Sequence, residues 1–175
     1  MCAVLFAKKN ALFEALILRL VSGLKPRGNE EKHFAKFYRR ISRMKTAIVW
    51  FRQDLRLEDN PALTHAVSTG YKILPIYIHS PKEEGSWPQG GASRWWLHRS
   101  LLNLENLFRE RGVTFLVFSG PTETTLQTIL QSTPEVAAIF WNRRYEPEII
   151  SRDKALKERF RSKGIEVESF NSALL

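Results

Sequence analysis

A chain of 175 residues, 43% hydrophobic and 26% charged, has room for one ordinary domain plus a tail and is neither disordered nor fibrous. Its single cysteine, Cys2, excludes an internal disulfide, and the sequence has no Cys/His cluster to bind a metal, which suits a reducing, intracellular setting. The net charge of +9 does not by itself mark a nucleic-acid face: residues 1–43 hold ten Lys/Arg against Glu14, Glu30 and Glu31, whereas residues 44–175 hold 17 against 15 acids.

The basic leader, 1–43, reads as a brief amphipathic helix over Ala11–Val21, interrupted by Glu14 and Arg19 and too short to cross a bilayer. Gly23 and Pro26 break it, and a charged linker runs on to Arg43. Three readings stay open: an upstream start with Met44 as the natural first residue, an organelle-targeting segment, or a helix lying on a membrane surface. Cytoplasmic placement is the expectation and organelle targeting the alternative.

From Met44 the pattern becomes regular. Thr46–Phe51 (TAIVWF) suits a strand buried on both faces. Asp59-Asn60-Pro61 supplies an N-cap and a proline at the first helical position, so Ala62–Ser68 is helix, ended by Gly70. Lys72–Ile78 is a second strand in which Pro75 predicts a bulge or an edge. A Pro- and Gly-rich loop from His79 to Gly91 leads to a helix from about Ser93, with Leu97, Leu101, Leu104 and Phe108 as its core stripe and Gly112 closing it. Val113–Phe118 is a third strand. Thr122 opens a helix carrying Leu126, Ile129 and Leu130. Val136–Trp141 is a fourth strand, Pro147–Lys163 a helix ended by Gly164, and Ile165–Phe170 a fifth strand. This alternation predicts an α/β, Rossmann-like three-layer fold: a five-stranded parallel sheet with helices on both faces. Ligands of such sheets sit beyond the carboxyl ends of the strands, which directs attention to the loops after Phe51, Ile78 and Trp141.

Arg52, Asp54 and Arg56 leave the first strand within five residues, an arrangement that fixes a loop through guanidinium–carboxylate pairs. A purely structural role is the plain alternative. Neither G-x-G-x-x-G nor a Walker sequence occurs, which weakens a dinucleotide or triphosphate reading. Arg152-Asp153, four residues before Lys157, reads as a solvated helix face with an i, i+4 pair. Trp95 and Trp96 point about 100° apart on a helix, so one is expected in the core and the other partly exposed.

The segment WFRQDLRLEDNPAL (Trp50–Leu63) resembles the opening of photolyases and cryptochromes. The likeness continues in Pro75–Ile78, in Gly91–His98, in Trp141–Pro147 with Arg152-Asp153, and in Ser169–Leu175. It implies a two-domain flavoprotein of which Met44–Leu175 is the N-terminal α/β domain, the chain being expected to end before the helical FAD-binding domain. In that family the N-terminal domain holds an antenna chromophore, a methenyl-folate, an 8-hydroxy-deazaflavin or a flavin such as FMN, which passes excitation to FAD. The excited reduced flavin then repairs a cyclobutane pyrimidine dimer flipped out of DNA. FAD and damaged DNA belong to the helical domain, so the resemblance gives this chain no catalytic residue and no metal ligand.

Antenna-binding candidates are Arg52, Ile78, Arg94, Arg144, Glu146, Glu148 and Arg152. Arg94 and Arg152 stand where deazaflavin-type members use arginines, but Arg144 replaces their acidic residue. Glu148-Ile149 replaces the Asn-Glu of one folate-type contact, and Tyr145-Glu146-Pro147 is found in folate-type relatives; the balance favours folate. Glu146 is expected to accept from a pterin-like amino edge and the arginines to pair with an anionic tail or ring. The expected function is the antenna domain of a deoxyribodipyrimidine photolyase. A cryptochrome-type light sensor and a free-standing nucleotide or pterin binder are the alternatives. An isolated domain is expected to expose an apolar patch and self-associate.

Overall fold

The computed structural model describes residues 44–84, 90–133 and 135–172; the predicted leader helix lies outside the described residues. The first strand, β1 (Thr46–Phe51), is buried along its whole length, as an apolar run with both faces covered must be. There follow α1 (Pro61–Ser68), β2 (Lys72–His79), a single 3-10 turn at Pro81–Glu83, α2 (Gly91–Glu110), β3 (Leu116–Ser119), α3 (Thr122–Ser132), β4 (Val136–Asn142), α4 (Pro147–Ser162) and β5 (Glu166–Phe170). The sheet has the order β3-β2-β1-β4-β5 with every neighbouring pair parallel. The chain builds outward from β1 to β3, then crosses back to place β4 beside β1. The strand order therefore reverses between β1 and β4, at the centre of the sheet.

Alternation along β1 divides the core. Ala47, Val49 and Phe51 pack with Ala62 and Ala66 of α1, Leu104 and Phe108 of α2, and Phe140 of β4. The Phe51 ring meets Phe108 and Phe115 edge-on at 5.5 and 6.0 Å. Trp50 faces the other way, towards α4, and meets Trp141 edge-on at 5.6 Å. Leu97 and Leu101 pack partly buried against the first cluster, so the predicted stripe of α2 is the observed one. His65 packs on Phe140 and Phe170 with centroids 5.0 and 4.9 Å away, a core-edge position.

Element ends follow local chemistry. Asn60 caps α1 by accepting from Leu63 N at 3.1 Å, with Pro61 in the first helical position. After α2, Gly112 takes φ +70, its N–H donates to Arg109 O, and Val113 N–H donates to Phe108 O. Gly164 (φ +78) and Ile165 repeat these bonds after α4. This closure needs a left-handed residue and ties the next residue back into the helix. For that reason the third and fifth strands begin at Leu116 and Glu166, later than the expected Val113 and Ile165.

Pro75 corrects another expectation. It pairs with Val49 in unbroken register, so there is no bulge at that point. β2 lies inside the sheet, but β3 joins it only from Ile76 onward, leaving the strand without a neighbour on that side at Pro75. The register irregularity lies instead opposite Thr46 and Ala47, in β4.

Candidate functional site

A crevice of about 220 Å³ opens at the carboxyl edge of the sheet, beside the point of strand reversal. β1 and its loop contribute Trp50, Arg52, Gln53 and Leu55; β2 and its loop contribute Tyr77, Ile78, Ser80 and Glu84. The start of α2 adds Ser93, Trp96, Leu97 and Ser100, while Thr122, Arg144 and Arg152 complete the wall. Its volume is below the roughly 300–1,000 Å³ of pockets that engulf a drug-sized ligand, and matches one flat ring system better than a dinucleotide.

Arg52 is buried, and its guanidinium meets Asp153 at 2.7 Å and the Asn142 carbonyl. Burial lowers its pKa, and the neighbouring Asp153 opposes that shift. Asp153 also accepts from Arg152 at 2.9 Å, and Arg152 reaches Glu83 at 3.0 Å. Both guanidiniums lie over the Trp50 ring, at 5.0 and 5.2 Å. Two expectations fall here. Arg52 pairs with a carboxylate 101 residues away and not within its own loop. Asp153 is buried rather than on a solvated helix face, because α4 packs it over the end of β1. Lys157 turns away to donate to Ser169 Oγ at 2.6 Å, and burial lowers its pKa.

Beneath the site, Asp54 accepts from Arg52 N (3.1 Å), Asn60 Nδ2 (3.0 Å) and Asn142 Nδ2. Asn142 also donates to Asn60 Oδ1 at 2.8 Å and accepts from Ala62 N at 3.1 Å. This network joins the ends of β1 and β4 to the start of α1. Arg56 clamps the loop by donating to the carbonyl of Asp59 at 3.0 and 3.2 Å. Asp59 has φ 50, a conformation aspartate tolerates better than most residues.

Arg144, after β4, donates to Glu146 at 2.7 Å and lies 3.6 Å from Glu84. Hydrogen bonding from Arg144 pulls the Glu146 carboxyl down to about 2, and Gln53 adds a contact at 3.4 Å. Burial, and next the charge of Glu84, push the Tyr77 phenol up to about 12, so it remains a neutral donor at ordinary pH.

Of the seven candidates, Arg52, Ile78, Arg144 and Arg152 meet in the crevice. Glu146 does not line it and touches it through Arg144 and Gln53. Arg94 and Glu148 are exposed, on α2 and in the first turn of α4, and neither lines the crevice. Trp95 and Trp96 are both exposed, at 56% and 66%, contrary to the expectation of one core residue. The face that α2 turns to the core is the stripe of Leu97, Leu101, Leu104 and Phe108, and neither indole lies on it. The two indoles meet edge-on at 5.2 Å, and Trp96 alone of the pair lines the crevice. Sequence reasoning passed over Trp50, Tyr77, Glu83 and Glu84. Glu83 accepts from Thr122 N at 2.8 Å and Thr122 Oγ1 at 2.6 Å, fixing the turn after β2 to the start of α3. Both glutamates lie in the loop after β2 that the topology rule singles out.

A parallel sheet with an aromatic, arginine-bearing crevice at its strand reversal defines a Rossmann-like ligand-binding domain. Residues 47–175 match the family model for DNA photolyase. A deoxyribodipyrimidine photo-lyase of Agrobacterium fabrum is 43% identical over 75% of this chain and 27% of its own length. Cryptochrome-1 of Sinapis alba is 38% identical over 77% of this chain and 26% of its own. The solved structure of an archaeal photolyase from Sulfolobus tokodaii, which holds two FAD molecules, superposes with a TM-score of 0.67 at 32% identity, covering 74% of this chain and 30% of that one. The chain belongs to the DNA photolyase family, which includes the cryptochromes, and comprises its N-terminal α/β domain. It spans about a quarter of the length of the curated relatives it matches.

Proposed function

We propose that this domain is the light-harvesting part of a photolyase: the crevice seats one flat heteroaromatic antenna, methenyl-tetrahydrofolate in preference to 8-hydroxy-deazaflavin or FMN. Excitation then passes to FAD in the helical domain that the resemblance implies, where a pyrimidine dimer is repaired. The observation that carries this reading is the pair of indoles at the crevice, Trp50 beneath two guanidiniums and Trp96 exposed at the wall. An exposed indole beside a small crevice is the side chain on which a planar ring stacks. The residues fit such a group: Gln53, Ser93 and Ser100 bring neutral polar groups to a wall that also carries Trp50, Ile78 and Leu97, and the volume suits one ring system.

Within this domain the side chains hold and orient the ring and exclude water from it; the bound chromophore supplies the absorption. Titrating the full chain with methenyl-tetrahydrofolate, followed by the absorbance of the chromophore, tests the proposal. Trp96→Ala is expected to weaken binding about 10-fold, the loss of one stacking contact. No binding at ~100 μM, where the free energy is only about −5.5 kcal/mol, refutes it. The 38% identity to a plant cryptochrome favours a second reading, a light sensor with the same antenna domain. Dimer repair under blue light by the protein carrying its FAD domain separates the two: repair supports the photolyase, and its absence the sensor.

A further inference from the structure

The expected acceptor for a ligand's amino edge, Glu146, is already engaged. Arg144 donates to it at 2.7, 3.2 and 3.3 Å, and Gln53 approaches at 3.4 Å. Glu84 is the opposite case. Its carboxyl lines the crevice, is only 16% exposed, and accepts no hydrogen bond among the described residues. Its one ion-pair partner among them is Arg144 at 3.6 Å, outside hydrogen-bond distance, and Arg144 is committed to Glu146. A largely buried carboxylate without donors is costly, and a ligand that supplies them recovers that cost.

Resting on the antenna reading above, we infer that Glu84 is the specificity-determining residue of the crevice, accepting paired hydrogen bonds from a ring edge that presents two adjacent N–H donors. A carboxylate has two acceptor oxygens and no donor, so it matches the 2-amino group and N3–H of a 2-amino-4-oxo-pteridine. The corresponding edge of an isoalloxazine or a deazaflavin has one N–H flanked by two carbonyls. Those carbonyls would face the carboxylate oxygens and repel them. Glu84 therefore selects an aminopteridine against flavin-like dione rings. This selection is independent of any tail or phosphate.

The test compares pterin with lumazine, the same bicycle with a 2-oxo in place of the 2-amino group, each displacing methenyl-tetrahydrofolate from the full chain. Pterin is expected to compete about 10- to 100-fold better than lumazine, the discrimination of one charge-assisted hydrogen-bonding edge. Glu84→Gln, whose amide both accepts and donates, is expected to bring the two within about 3-fold and to weaken methenyl-folate at least 10-fold, with an unchanged circular dichroism spectrum. Equal competition by the two rings, or an E84Q chain that binds methenyl-folate as tightly as the parent, overturns the role of Glu84 while leaving the antenna reading intact. Methenyl-folate that fails to bind the parent chain removes the antenna reading itself, and the inference with it.

Discussion

Asp153→Ala is expected to destabilise the domain by about 3–5 kcal/mol, because it strips a buried guanidinium of its counter-charge. Arg52 is 6% exposed and has no other carboxylate within ion-pair reach among the described residues. Its remaining partner, the Asn142 carbonyl, bears no net charge. Arg152 suffers less, since it keeps Glu83 at 3.0 Å. The effect should be read by urea unfolding of the parent, D153A, Arg52→Leu and the double variant. If the cost comes from an uncompensated charge, the double variant is more stable than D153A, for removing both partners leaves no orphan. A D153A chain within ~1 kcal/mol of the parent would show the pair to be structurally idle. The same substitution should loosen both guanidiniums over Trp50, so chromophore binding falls with it.

Asn142→Asp is expected to be nearly as damaging although it alters a single heavy atom. The amide nitrogen donates to Asp54 and to Asn60 Oδ1, while its oxygen accepts from Ala62 N, all in a residue 2% exposed. A carboxylate there turns both donated bonds into acceptor–acceptor contacts and sets a second negative charge against Asp54. Two unsatisfied contacts at about 1–3 kcal/mol each predict a loss of about 2–6 kcal/mol at neutral pH. The sign of the pH dependence follows from where the new proton binds. Because its ionised form meets Asp54 and the Asn60 oxygen, the carboxyl introduced by N142D has its pKa raised above the ordinary ~3.9 in the folded state. Stability from such a group is complete below the unfolded value and is lost as pH rises through the folded one. The deficit of N142D against the parent should therefore be smallest in acid and grow towards neutrality, measured as the midpoint of denaturant unfolding across pH. A deficit that is flat with pH would contradict the network.

These two positions show where sequence reading stops. The strands and helices were legible because their signals are local: an apolar run at Thr46–Phe51, Asn60-Pro61 opening α1, glycines after α2 and α4. Parallel topology followed from alternation alone, as did the sheet edge at which the crevice lies, and the likeness to a solved photolyase agrees with the fold. Pairings between distant residues were not legible. Arg52 and Asp153 are 101 positions apart, and Asn142 meets Asp54 across 88. No periodicity announces either pair, so Asp153 read as a surface residue. Glu84 was passed over for a related reason. What marks it is the absence of donors around it, and that depends on Arg144 having turned to Glu146. Trp95 and Trp96 failed differently: the angle between neighbours places them relative to each other, but the face α2 buries is the stripe of Leu97, Leu101, Leu104 and Phe108, and neither indole lies on it.

That a flat ring sits in the crevice between Trp50 and Trp96 is tested most directly by the indole N–H resonances of the full chain as methenyl-tetrahydrofolate is added. The Trp50 indole N–H is buried without an acceptor among the described residues, so its resonance responds to the ring beside it rather than to exchange of an existing bond. Large shifts are expected for Trp50 and Trp96 and only small ones for Trp141, which is fully buried and does not line the crevice. Saturable binding that leaves Trp50 and Trp96 unmoved would place the chromophore elsewhere and contradict the account.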